Sequence, residues 1–131
     1  SRWVEEAVVV GDNRKFTAAL IQPSFQALLE FAQEEQIDFN RNLTAFITTD
    51  TGEELPVKVD PELVRNEKVL ALFRRVVEEA NCCFDPFEQV KQFRLLPEAL
   101  TLEGDELTPT LKVKKKVISQ KYNQLIEEMY A

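Results

Sequence analysis

There is no histidine in this chain. Without the commonest general base near neutral pH and the commonest metal ligand, it cannot build Ser/His/Asp triads, Cys/His dyads or histidine metal sites. Cysteine is scarce as well. Cys82 and Cys83 are adjacent, and a disulfide between neighbours strains the peptide that joins them, so both read as reduced thiols of a cytosolic protein. Three glycines and six prolines in 131 residues exclude collagen-like and low-complexity classes. No apolar run approaches the roughly 20 residues that span a bilayer, and no signal-peptide pattern opens the chain. Gly-rich phosphate loops and nucleophile elbows are missing too, which leaves any chemistry to isolated charged groups. Positive charge is in deficit: Lys and Arg number 16 against 23 Asp and Glu, a net charge of −7. Such a chain repels a polyanion in the far field. The one basic cluster, Lys112 to Lys116, has no interleaved aromatics, so no nucleic-acid partner is expected.

What remains is 44% hydrophobic and 30% charged, the makeup of a globular chain of one-domain length. Nine Phe supply most of the aromatic bulk for a core. Ala7 to Val10 and Phe16 to Ile21 are apolar runs separated by Gly11, Asp12 and Asn13, which predicts a β-hairpin. Pro23 ends the second strand and Ser24 can cap a helix. Phe25, Leu28, Leu29 and Ala32 then follow at helical spacing, giving a first helix to about Gln36.

Between Ile37 and Val59 the helical period is lost. Leu43 to Thr48 and Leu55 to Val59 flank an Asp50-Thr51-Gly52 turn signal, read as a second hairpin with a mobile loop as the alternative. Val69, Phe73, Val76, Val77 and Ala80 restore helical spacing behind two candidate caps, Asp60 and Asn66, and that helix is expected to end near Asn81. Asp85-Pro86-Phe87 reads as a turn and Gln92 to Leu96 as a short strand. Leu100 to Thr108 reads as two extended pieces around a Gly104-Asp105 turn. A last helix carries the stripe Val113, Val117, Ile118, Tyr122, Leu125, Ile126 and Met129. The predicted class is α+β: a small mixed sheet with an N-terminal β-hairpin, covered by about three helices.

The most unusual stretch is Leu107-Thr108-Pro109-Thr110-Leu111-Lys112-Val113-Lys114-Lys115-Lys116, which brings four lysines to the expected start of that helix. Cations there oppose the helix macrodipole at roughly 0.3–1 kcal/mol each. The plain reading is a solvated basic face that pairs with Glu103, Asp105 and Glu106 or with a neighbouring domain. The other is an anion site.

Several blocks, in order, resemble the C-terminal domain of AMP-forming acyl-CoA synthetases, specifically long-chain fatty acid–CoA ligases. Glu5 to Ile21 is similar to the first hairpin of that family, and Asp85 to Phe93 to its pre-strand segment. Leu107-Thr108-Pro109-Thr110-Leu111-Lys112 resembles the long-chain version of the final core motif, elsewhere Pro-x-Gly-Lys. The likeness covers nearly the whole of 1–131 except residues 38–60, which read as an insert without catalytic part.

The resemblance implies a mobile lid domain of a larger ligase, with its own N-terminal adenylating domain as partner and a long-chain fatty acid as substrate. ATP, Mg²⁺ and coenzyme A would be held mainly by the rest of the enzyme. Lys112 matches the lysine that acts in adenylation. Lys114, Lys115 and Lys116 are weaker candidates for contact with nucleotide or coenzyme A phosphates, and no metal ligand is expected. The hinge and the loop that faces coenzyme A would precede Arg2, and Ser1 in place of a start Met fits a piece of a longer protein. The piece alone is expected to hold none of these ligands tightly and to be inactive. Arg14 and Lys15 read as plain turn charges, and Trp3 as a packing residue. The expected location is cytoplasmic, with peripheral contact of the whole enzyme at the inner membrane left open. The competing reading is a non-catalytic binding module that docks a partner or an anionic membrane through the basic amphipathic last helix. The two differ in the fate of Val117, Ile118, Leu125 and Ile126, buried in the first and exposed in the second.

Overall fold

The computed structural model describes residues 1–11 and 13–131. Among these residues five strands and four α-helices follow in the order β1 (Val4–Val10), β2 (Thr17–Pro23), α1 (Phe25–Glu34), β3 (Ala45–Thr48), β4 (Glu54–Lys58), α2 (Glu67–Asn81), β5 (Val90–Leu95), α3 (Lys115–Lys121) and α4 (Asn123–Tyr130). The main sheet has the order β1-β2-β5. Its first pair is antiparallel and its second parallel, so it is a small mixed sheet with an N-terminal hairpin, as the sequence predicts. Asp12, in the middle of the expected turn, lies outside the described residues.

The central strand explains the layering. β2 reads as an almost unbroken apolar run, the pattern of a strand covered on both faces. Its Ala19 and Ile21 enter one core with Phe25, Leu28 and Ala32 of α1 and Val69, Leu72 and Phe73 of α2. Ala18 and Leu20 enter a second core with Val8, Val10, Leu96, Leu100, Ile118, Ile126 and Met129. Helices α1 and α2 therefore cover one face of the sheet and α3 and α4 the other. The fold buries both chain-proximal and chain-distal apolar stripes against one strand.

Local chemistry sets the helix starts. Ser24 accepts from the Ala27 N–H as the N-cap of α1. Of the two candidate caps before α2, Asn66 is the one used: its side chain accepts from the N–H groups of Lys68 and Val69. Asp60 instead is buried and accepts from the N–H groups of Asn40 and Glu62, at 2.8 and 3.0 Å. It ties the start of the 38–60 segment to its end.

That segment contains the second hairpin, β3 against β4. Its base is part of the fold: Val59 is buried, and its N–H donates to the Pro97 carbonyl, while the Ala99 N–H donates to the Val57 carbonyl. Its outer strand is exposed along its length, with Phe46 and Ile47 uncovered.

Three expectations need correction. The last helix is two helices, α3 and α4, because the backbone breaks at Tyr122 (φ −106°, ψ 24°), so four helices cover the sheet. The pieces flanking Gly104-Asp105 are not strands, and their sole ladder contact among the described residues is a bridge from Leu107 to Val113. The nine Phe do not all build core: Phe46, Phe84 and Phe87 are exposed, Phe87 at 93%.

Candidate active site on the lysine hairpin

The four lysines do not sit together at a helix start. Leu107 and Val113 bridge across a tight antiparallel hairpin, and the chain between them folds on its own hydrogen bonds. The Thr108 N–H donates to the Lys112 carbonyl at 2.8 Å and the Leu111 N–H donates to the Thr108 carbonyl at 2.7 Å. The Thr108 hydroxyl accepts from the Lys112 N–H at 3.0 Å and lies 3.1 Å from the Thr110 hydroxyl. Each Thr in Thr-Pro-Thr thus satisfies polar groups that a loop would otherwise leave to water. Leu111 closes the turn at φ +63°, a left-handed conformation uncommon for a side chain of its kind.

Lys112 leaves this hairpin exposed, and among the described residues no carboxylate pairs with it. Lys114 is the N-cap residue of α3, with no side-chain cap bond, and pairs with Asp105. Lys115 and Lys116 open α3 and are exposed. Lys115 also lines a cavity of about 180 Å³ with Gly11, Arg14, Ser119, Asn123 and Tyr130. Of the dipole penalty expected for Lys112 and Lys114 to Lys116, the part for Lys112 is absent, since it precedes the helix, and Lys115 and Lys116 in the first turn keep theirs. Part of the plain reading holds for Lys114.

Two features escape sequence reasoning. Glu106 is only 1% exposed. Its Oε1 accepts from the Thr101 N–H at 3.0 Å and its Oε2 from Lys121 Nζ at 2.8 Å. Close by, the Tyr122 hydroxyl is buried without a hydrogen-bond partner. Its pKa is pushed up to about 12, first by burial and then by the charges of Glu106 and Glu98; the Glu106 carboxylate acts on it electrostatically without reaching hydrogen-bond geometry. The second feature is Arg14, which is more than a turn charge: it pairs with Glu127 of α4 and lies over the Tyr130 ring at 4.9 Å. Tyr130 in turn stacks on Phe16 and donates to its carbonyl at 2.8 Å. Trp3 packs edge-on against Phe31, as expected.

The apolar stripe of the last two helices faces inward. Ile118, Ile126 and Met129 are buried, and Val117 and Leu125 are half-buried, which removes the apolar surface that a membrane-docking helix would need. Among the described residues no helix is long and apolar enough to cross a membrane.

Along the outer edge of β5, between α2 and α4, runs a cavity of about 950 Å³ whose lining includes Arg74, Val77, Asn81, Phe93 and Leu125. None of the four lysines lines it. Its edge is already occupied by side chains: the Asn81 carboxamide pairs with the N–H and carbonyl of Val90, and Arg94 donates to the Phe93 carbonyl.

No protein-family model matches the chain. The long-chain-fatty-acid–CoA ligase FadD15 of Mycobacterium tuberculosis is 32% identical over 127 residues, 97% of this chain and 18% of that protein. The chain is homologous to one segment of the long-chain fatty-acid–CoA ligases. The long-chain-fatty-acid–CoA ligase ACSBG2 of Gallus gallus is 29% identical over 136 residues, covering 98% of this chain and 17% of its own length. The ligase homologue thus spans about a fifth of the length of the curated relatives it matches.

Solved structures share its fold. The didomain of carboxylic acid reductase from Segniliparus rugosus, in complex with AMP, superposes with a TM-score of 0.65 at 15% identity, over 99% of this chain and 14% of that one. The adenylation domain of the carboxylate reductase from Mycobacterium chelonae gives 0.59 at 16% identity, over 98% and 16%.

Proposed function

We propose that this chain is the mobile C-terminal lid of a long-chain fatty-acid–CoA ligase and that Lys112 is its adenylation lysine. What supports the reading is an unpaired ammonium displayed on a self-bonded hairpin, in a chain homologous to those ligases. Activation of a carboxylate on ATP brings negative charge from both partners to the α-phosphate. A compact ammonium approaching from outside stabilises that charge in a way a prepaired one could not. Because Lys112 precedes α3, its approach is set by the hairpin and by the placement of the whole domain.

The fit to the other ligands is limited. Among the described residues no group of three or more thiols and carboxylates is placed to hold a metal ion. Nucleotide, Mg²⁺ and fatty acid would then be held by the larger adenylating domain, and the chain's own contribution is the cation. In this reading the lid turns after the first half-reaction, withdraws Lys112 and leaves the thioester step with coenzyme A to another face. Lys115 and Lys116 are secondary candidates for phosphate contact, and Lys114 becomes one only by leaving Asp105. Residues 38–60 take no part in the chemistry. A cytoplasmic enzyme in peripheral contact with a membrane belongs to the same proposal.

The test is Lys112→Ala in the full-length ligase, with the half-reactions measured separately in single turnovers. Adenylation should slow by about 10²–10³, the scale for removing one preorganised charge-stabilising donor. Thioester formation from preformed acyl-adenylate should stay near wild type. Equal loss in both steps would point to damaged docking, and no loss in either would remove Lys112 from the assignment.

A further inference from the structure

Glu106 is a buried carboxylate in an otherwise exposed loop of an acidic chain, a costly placement that the chemistry assigned to Lys112 does not use. Its three acceptor groups go to three residues, one in the preceding turn and two at opposite ends of α3. Oε1 takes the Thr101 N–H, while the Glu106 N–H donates back to the Thr101 carbonyl at 3.1 Å, closing the 101–106 turn. Oε2 takes Lys121, the last residue of α3, where a cation is favoured by the helix dipole. The Glu106 carbonyl takes the Lys114 N–H at 2.8 Å, one step outside the Leu107–Val113 bridge. The turn wraps so tightly that a Cβ on Gly104 would stand 2.9 Å from Oε1. The base of the lysine hairpin is thus fixed to the loop before it and to the far end of the helix after it, all through one residue. The hairpin's other ion pair, Lys114 with Asp105, is exposed and weakened by solvent.

We infer that Glu106 is a positioning residue that, with Lys121, sets the stance of the hairpin and so the reach of Lys112. The inference rests on the reading of Lys112 as the adenylation lysine. Glu106 touches no substrate; it acts through the bridge at the base of the hairpin. Loss of its charge leaves the fold of the hairpin intact, because the Thr108 bonds and the backbone bonds at residues 106 and 114 are kept, but releases the tie between the hairpin base and Lys121, so that the hairpin can shift relative to the far end of α3. Misplacement of a reacting group by about 1 Å costs up to about 10²-fold in rate.

A double-mutant cycle in the full-length ligase tests this. Glu106→Gln keeps an acceptor for Thr101 and removes the charge that holds Lys121. Adenylation should fall about tenfold or more, with thioester formation within twofold of wild type. In the Lys112→Ala background the same substitution should have no further effect on adenylation. An unchanged adenylation rate, an equal loss in both half-reactions, or a loss that multiplies with that of Lys112→Ala would overturn the inference and leave the role of Lys112 standing. If Lys112→Ala alone leaves adenylation unchanged, both readings fall. Should Glu106→Gln fail to fold, Lys121→Gln breaks the same pair from its solvent-facing end and is judged by the same outcomes.

Discussion

Tyr122 combines two conditions that seldom coexist in one side chain. Its ring is at the break between α3 and α4, and its hydroxyl is buried without a partner beside Glu106 and Glu98. An unmade hydrogen bond leaves the full desolvation cost of the group in place, so Tyr122→Phe should leave stability at pH 7 unchanged or raised. The folded pKa, about 12, lies above the ordinary 10.0. The stability linked to the neutral phenol is therefore complete below pH 10 and lost as pH rises through 12. The thermal midpoint of the wild type should fall more steeply than that of Tyr122→Phe between those values. Parallel curves would show that the phenol is not what titrates. Glu106 is the other residue whose surroundings decide its role, since an acidic side chain beside a run of lysines looks like surface until its depth is known.

The elements divide by how local their causes are. β1 and β2 are legible from two apolar runs and the Gly11 turn, and α1 from Ser24 and the spacing of Phe25, Leu28 and Ala32. The start of α2 rests on Asn66, and Asn66→Ala should cost about 1 kcal/mol by removing the acceptor of two first-turn N–H groups. Urea unfolding measures it, and an unchanged midpoint would mean that packing alone sets the start of α2. The break at Tyr122 is not legible. Val117, Ile118, Leu125, Ile126 and Met129 stay in helical phase across it, and neither Gly nor Pro marks it. Nor is the parallel pairing of β2 with β5, whose partners lie far apart in the chain. At the candidate site, the exposure of Lys112 follows from Thr-Pro-Thr turn chemistry, but its catalytic reading came from family resemblance. The Glu106–Lys121 and Arg14–Glu127 pairs join residues 15 and 113 positions apart; charge spacing along the chain carries no signal of either.

On the scale of the whole molecule, Arg14 and Tyr130 fasten the tip of the first hairpin to the last helix. The Arg14 guanidinium, hydrogen-bonded to Glu127, holds that carboxyl below its ordinary value. A lowered folded pKa means that this contribution is present above about pH 4.5 and lost as pH falls through the folded value. Both groups are exposed, so the effect is modest. Glu127→Gln should lower the thermal midpoint slightly at pH 7, and the difference should shrink as acid protonates the carboxyl. A difference that persists at the acid end would assign the loss to packing on Tyr130 instead of charge.

The two cores that share β2 are also separated in time of synthesis. The core under α1 and α2 has all its strands once Leu95 has emerged from a ribosome, whereas the other joins Val8 and Val10 to Ile126 and Met129. At about 5–20 residues per second, the second must wait about 2–7 seconds longer, with one face of β1 and β2 uncovered. The layer that carries Lys112 therefore closes after the layer under α1 and α2.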